Sequence, residues 1–181
     1  MFGLAAKWKR NRPDRLTRLA TAIDAIAVRD RRLIDESTQV EELRSRGAAE
    51  LYGICRAFVD KVNSRLADKA VLLDPPTFSE VDFDEGGTLF QINLRGRLLQ
   101  MEFAATEQLY EKDDFKKEYV LRGAVRGFNQ DLLSQNTVDE QLIFYCPHAG
   151  GGAVWHYFDE RTYRTGRVGE DYLISEMERL L

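Results

Sequence analysis

From Asp14 to about Leu66 the apolar residues recur at every third or fourth position, and beyond residue 77 they recur at every second. In "DRLTRLATAIDAIAVRD", Leu16, Leu19, Ala20, Ile23, Ile26 and Ala27 form one stripe with Arg and Asp between them. That spacing predicts an amphipathic helix. Pro13 suits the first helical turn, where its missing N–H would have had no partner. Thr38 with Glu41 three residues on reads as a capping box, and so as a second helix start. The stripe then continues through Val40, Leu43, Gly47, Leu51, Ile54, Phe58, Val62 and Leu66. Gly47 costs roughly 1 kcal/mol against alanine in a helix interior, which marks it as a place for a bend. Two stripes joined by a short polar connection predict an antiparallel helical hairpin over residues 14–67.

Pro75 and Pro76 end the helical regime, because consecutive prolines force an extended path. The runs "TLFQINL", "RLLQMEFAA", "EYVLRGAVRGF", "QLIFYC" and "AVWHYF" follow. Phe90, Ile92 and Leu94 alternate with Gln91 and Asn93, and Leu99, Met101 and Phe103 alternate with Gln100 and Glu102. Acidic or glycine-bearing breaks separate the runs, predicting an antiparallel meander of five or six strands with one face on a core. "GEDYLISEMERLL" closes the chain as a short helix with Leu173, Met177 and Leu180 on one face. The expected fold class is α+β: an N-terminal helical hairpin, an antiparallel β-meander and a short C-terminal helix. Its expected divisions are a basic segment 1–13, the hairpin 14–67, and a sheet with C-terminal helix 78–181 that forms one compact unit with the hairpin.

Composition narrows the class. A chain of 181 residues, 44% hydrophobic and 31% charged, belongs with globular rather than disordered proteins. No window approaches 18 uncharged apolar residues, so no membrane-spanning helix is expected. The first residues, "MFGLAAKWKRNRPDR", place their basic residues after a short apolar run. A secretory leader has the reverse order, so a cytoplasmic location is expected. Two cysteines, Cys55 and Cys146, make neither a disulfide framework nor a paired-cysteine metal spacing. Cys55, in "ELYGICRAFVDKV", reads as a small buried hydrophobe.

The net charge of −4 is unevenly spread: residues 1–32 carry nine basic and three acidic side chains, a net +6, which leaves −10 on the rest. Lys7, Lys9, Arg10, Arg12, Arg15 and Arg18, with Trp8 among them, are therefore candidate contacts for nucleic-acid phosphate. The same segment, with Phe2 and Leu4, suits an anionic membrane surface or docking on its own domain. Arg122 and Arg126 lie on one face of a predicted strand and are further anion candidates.

The densest candidate chemistry is "YCPHAGGGAVWHYF", residues 145–158, which holds both histidines. Its segment "CPHAGGGA" resembles the oxyanion-hole segment of type II thioesterases, an α/β-hydrolase family. That fold also requires a Gly-X-Ser-X-Gly elbow, and none of Ser37, Ser45, Ser64, Ser79, Ser134 and Ser175 stands in one. A phosphate loop is excluded, because Gly150, Gly151 and Gly152 lead into an alternating strand and no Lys-Ser or Lys-Thr follows. Cys146, His148 and His156 remain candidates for a reactive thiol or a metal site. The glycines read as a hairpin turn needing positive φ, open enough to serve as a binding loop.

Taken together the residues point first to a small non-enzymatic protein without a cofactor, acting through protein–protein contact and self-associating through its helical hairpin. The alternatives are nucleic-acid binding through the basic N-terminal helix, and a small-molecule-binding or hydrolytic domain using Cys146, His148 or His156.

Overall fold

The computed structural model describes residues 15–112, 115–129 and 139–181. The chain forms two units, Met1–Thr38 and Gln39–Leu181. A single helix, α1 (Arg15–Asn63), contributes to both. The expected hairpin is thus replaced by one continuous helix. The reason is local: between Asp14 and Arg46 there is neither glycine nor proline to stop it. Thr38 does not cap a new helix, because its Oγ1 donates back to the Ile34 carbonyl at 3.0 Å, as a mid-helix threonine does. Helix also runs through Gly47.

In Gln39–Leu181 the sheet follows α1. Its strands are β1 (Val71–Asp74), β2 (Thr88–Leu94), β3 (Arg97–Ala105), β4 (Leu121–Phe128), β5 (Asp139–Pro147), β6 (Ala153–Asp159) and β7 (Arg164–Arg167), followed by the helix α2 (Glu170–Glu178). Among the described residues these make seven strands rather than five or six, in the order β1 to β7, each antiparallel to its neighbour. The two additional strands lie at the edges. In β1 only Val71 and Leu73 are buried, and β7, "RTGR", has no apolar side chain to show a period.

One face of the sheet carries the core. Phe90, Ile92, Leu99, Met101, Phe103, Val125, Ile143, Tyr145 and Trp155 point into it from the strands, against Val40, Leu51, Cys55 and Phe58 of α1. Leu173 and Met177 of α2, with Leu180 just beyond it, complete the cluster. On the opposite face Phe115 and Tyr119 lie on Phe144 and Cys146, with Leu142 and Phe158 packed beside them. The strand β5 is therefore buried on both faces, which explains why its alternation of apolar and polar residues fades.

Helix and sheet meet most closely at Gly47. A Cβ built there lies 2.5 Å from Tyr145 Cδ1 and Cε1, whereas one at Gly53, six residues along the same helix, meets nothing within 4 Å. Two alanine substitutions in one helix are therefore expected to act with opposite signs. Gly47→Ala lowers stability by about 1–3 kcal/mol through overpacking, and Gly53→Ala raises it by about 0.5–1 kcal/mol through backbone entropy. Urea denaturation of both variants checks this, and equal effects at the two positions would refute the close approach.

Candidate interaction surface

Within Met1–Thr38 the described structure is helix, rich in Ala, Leu and Arg and supported by local pairs. Arg32 Nε donates to Glu36 Oε1 at 2.8 Å one turn on, and Thr21 Oγ1 donates to the Thr17 carbonyl at 2.9 Å. Every residue from Arg15 to Asp35 is exposed. Leu16, Leu19, Ile23, Ile26 and Leu33 recur at steps of three and four, interrupted only by Asp30, and are between 50% and 72% exposed. This spacing matches the a and d positions of a heptad repeat. An apolar face that meets nothing adds little to the stability of the helix carrying it, and a contiguous exposed apolar patch marks an interaction site. Of the basic candidates, Arg15 and Arg18 lie exposed on this segment. Lys7, Lys9, Arg10 and Arg12 lie outside the described residues.

The glycine stretch is a hairpin turn between β5 and β6. Pro147 pairs with Ala153, and the His148 N–H donates to the Gly152 carbonyl at 2.9 Å. Gly151 and Gly152 take φ of 86° and 82°, where a side chain would be strained, while Gly150 lies in open space without positive φ.

Cys146 faces the Phe115 cluster on the outer side of the sheet. His156 stands on that same side, because it pairs with Phe144 in register, and its ring lies 6.2 Å from that of His148. The hairpin therefore gathers all three candidates onto one face. The environment of Cys146 and His156 is dry rather than activating, while His148 is exposed. Burial pushes the Cys146 thiol up to about 12, only partly opposed by Lys117, so it stays protonated and non-nucleophilic at neutral pH. Burial first, then Lys117 and His148, lower the His156 pKa and keep its imidazole neutral. Its Nε2 is buried without a partner among the described residues. Among the described residues no group of three or more His, Cys, Asp or Glu side chains is placed to hold a metal ion.

The remaining candidates belong to the sheet's outer face. Arg126 reaches Glu102 Oε2 at 2.6 Å and Glu140 Oε2 at 2.5 Å, bridging three adjacent strands, and these acids raise its pKa. Its charge is thus already matched within the chain. Arg122 also lies on β4 and is exposed.

Comparison with protein-family models, with curated proteins and with solved structures found no match. Among the described residues no helix is long and apolar enough to cross a membrane.

Burial also pushes Cys55 up to about 12. Neither cysteine is expected to react with a disulfide reagent at neutral pH in the native protein, and both are expected to react once urea unfolds it. Rapid stoichiometric labelling of native Cys146 would contradict the dry environment described for it.

Proposed function

We propose that the protein acts by protein–protein contact, through self-association of the amphipathic stretch Arg15–Thr38. The observation that carries this reading is the exposed seam of Leu16, Leu19, Ile23, Ile26 and Leu33. The occupant that fits it is a second copy running antiparallel. In that direction Leu16 meets Leu33 of the other copy, Ile23 meets Ile26, and Asp30 meets Leu19. The flanking Arg15 then faces Glu36 at both ends of the pair. A parallel, in-register pair would instead set Asp30 against Asp30, a like-charge contact at a core position, and would leave Arg15 without an acidic neighbour.

The magnitude of the seam sets the affinity. Completing the burial of a half-exposed Leu or Ile contributes about 1 kcal/mol. The five seam residues of each copy together supply roughly 10 kcal/mol, set against an association cost of roughly 4 kcal/mol or more. Such a pair is no tighter than the micromolar range, about −8 kcal/mol, and so assembles and parts with concentration.

The seam residues are exposed and none belongs to the core cluster, so they can be altered without unfolding it. Sedimentation equilibrium across a concentration series is expected to show a reversible dimer. The double variant Leu19→Glu with Ile26→Glu is expected to be monomeric at an unchanged urea midpoint. Arg15→Glu is expected to weaken the dimer, and adding Glu36→Arg to restore it. A wild-type chain that stays monomeric at the highest concentration reached rejects the reading. A dimer indifferent to Arg15→Glu rejects the antiparallel direction.

A further inference from the structure

A second feature, independent of the seam, lies wholly within Gln39–Leu181. The core side of the sheet does not close at its β5–β7 corner. There α2 and the strands leave a cleft of about 350 Å³, at the lower end of the range of small-molecule sites, roughly 300–1,000 Å³. The inward positions of β5 and β6 that are Ile143, Tyr145 and Trp155 deeper in the core become Gln141, Tyr157 and Asp159 here. The strand side is lined by these residues with Arg164 and Arg167, and the helix side by Asp171, Tyr172, Ser175 and Glu176.

Two atoms in its walls are unsatisfied. Among the described residues Gln141 Oε1 and the Tyr172 hydroxyl are buried with no hydrogen-bond partner, on side chains whose residues are 8% and 7% exposed. A buried polar atom left unpaired is unfavourable by more than a formed hydrogen bond contributes. Two of them lining one cleft mark a place built to receive donors from outside the chain. Their surroundings sustain that polarity. Asp159 accepts from the Arg161 N–H at 3.0 Å and from Thr162 Oγ1 at 2.8 Å, which lowers its pKa and keeps it charged. Glu176 accepts from Arg179 Nη1 at 3.1 and 3.2 Å, yet burial and the Asp159 charge outweigh this and push it up to about 7. The Tyr157 and Tyr172 rings stack at 4.7 Å, with Gly166 leaving room for Tyr157, whose ring lies 2.7 Å from where a Cβ would stand.

The charges of the lining are divided. Gln141 Oε1, Asp159, Asp171 and Glu176 make a wall rich in acceptors. Arg164 pairs with Asp159 and so faces the same cleft, without an ion-pair partner among the described residues, whereas Arg167 pairs with His156 and faces the other side of the sheet. A ligand that satisfies both is donor-rich at one end and anionic at the other. We propose that this cleft binds a small zwitterion of the free amino-acid class, its ammonium on Gln141 Oε1 and the Tyr172 hydroxyl, its carboxylate on Arg164. Water fits the acceptor wall as well, but leaves the Arg164 guanidinium without an anion.

The test is ligand-observed NMR and calorimetry on the full chain, with the twenty common amino acids taken one at a time. At least one is expected to bind at millimolar concentration or below. Gln141→Leu, which keeps the volume and removes the acceptor, is expected to weaken it by about tenfold or more. Arg164→Ala is expected to abolish the preference for the amino acid over the corresponding amine. If Gln141→Leu does not fold, Tyr172→Phe removes only the hydroxyl and is expected to weaken binding in the same direction. Absence of binding by all twenty, binding unchanged in the variants, or an amine bound as tightly as its amino acid would each overturn the proposal. Dimerisation is read separately by sedimentation, so neither result decides the other.

Discussion

The helix α1 lies on its sheet because residue 47 has no side chain. That absence lets the backbone come down on the ring of Tyr145 and lets Trp155 Nε1 donate to the Gly47 carbonyl at 2.7 Å. The carbonyl has a second lone pair, so a contact from the sheet need not displace a helical bond. From Trp155 a row of edge-on rings crosses the core: Phe103 at 5.3 Å, then Phe90 at 5.3 Å, then Tyr52 back on α1 at 5.4 Å. Tyr145 adds a polar tie where its hydroxyl donates to Glu50 Oε2 at 2.8 Å, a bond that with burial raises its pKa. One close contact therefore sets the position of the helix for the aromatic packing that follows.

Arg44, one turn before Gly47, fixes a different part. It is buried, and its guanidinium donates to the carbonyls of Val120, Thr106 and Gln108 and to Thr106 Oγ1 at 2.9–3.1 Å. Glu85 stands 3.6 Å away. A buried cation is tolerated when its donors are met. Here the acceptors are backbone groups flanking the segment between β3 and β4, so the same residue that needs them also anchors that segment to α1.

How much of this was written in the sequence depends on where the pattern was two-valued. The limits of β2 and β3 follow from strict alternation broken by "RG", where Arg95 and Gly96 take the positive φ of a tight hairpin. The C-terminal helix followed from Leu173, Met177 and Leu180, all buried. The hairpin reading failed because a Thr with a Glu three residues on occurs inside helices as well as at their starts, and the unbroken three-four spacing across residue 38 was the better guide. The edge strands were hidden by shortness. The grouping of Cys146, His148 and His156 on one side depends on strand register, which the stretch itself does not reveal. The polar cleft was hidden for another reason: Gln141 and Asp159 sit at positions of inward alternation that read as solvent-facing, and only the placement of α2 shows them to be enclosed.

The outermost ribbons of the sheet, β1 and β7, are four residues each. One runs straight into Pro75 and Pro76, and the other carries an arginine at either end. Proline offers no donor to an added chain, and short charged borders present few groups to pair with. The sheet is thereby closed to extension from either flank. Lateral addition of a further strand is disfavoured at both borders, which leaves side chains rather than the backbone ladder as the accessible surface there.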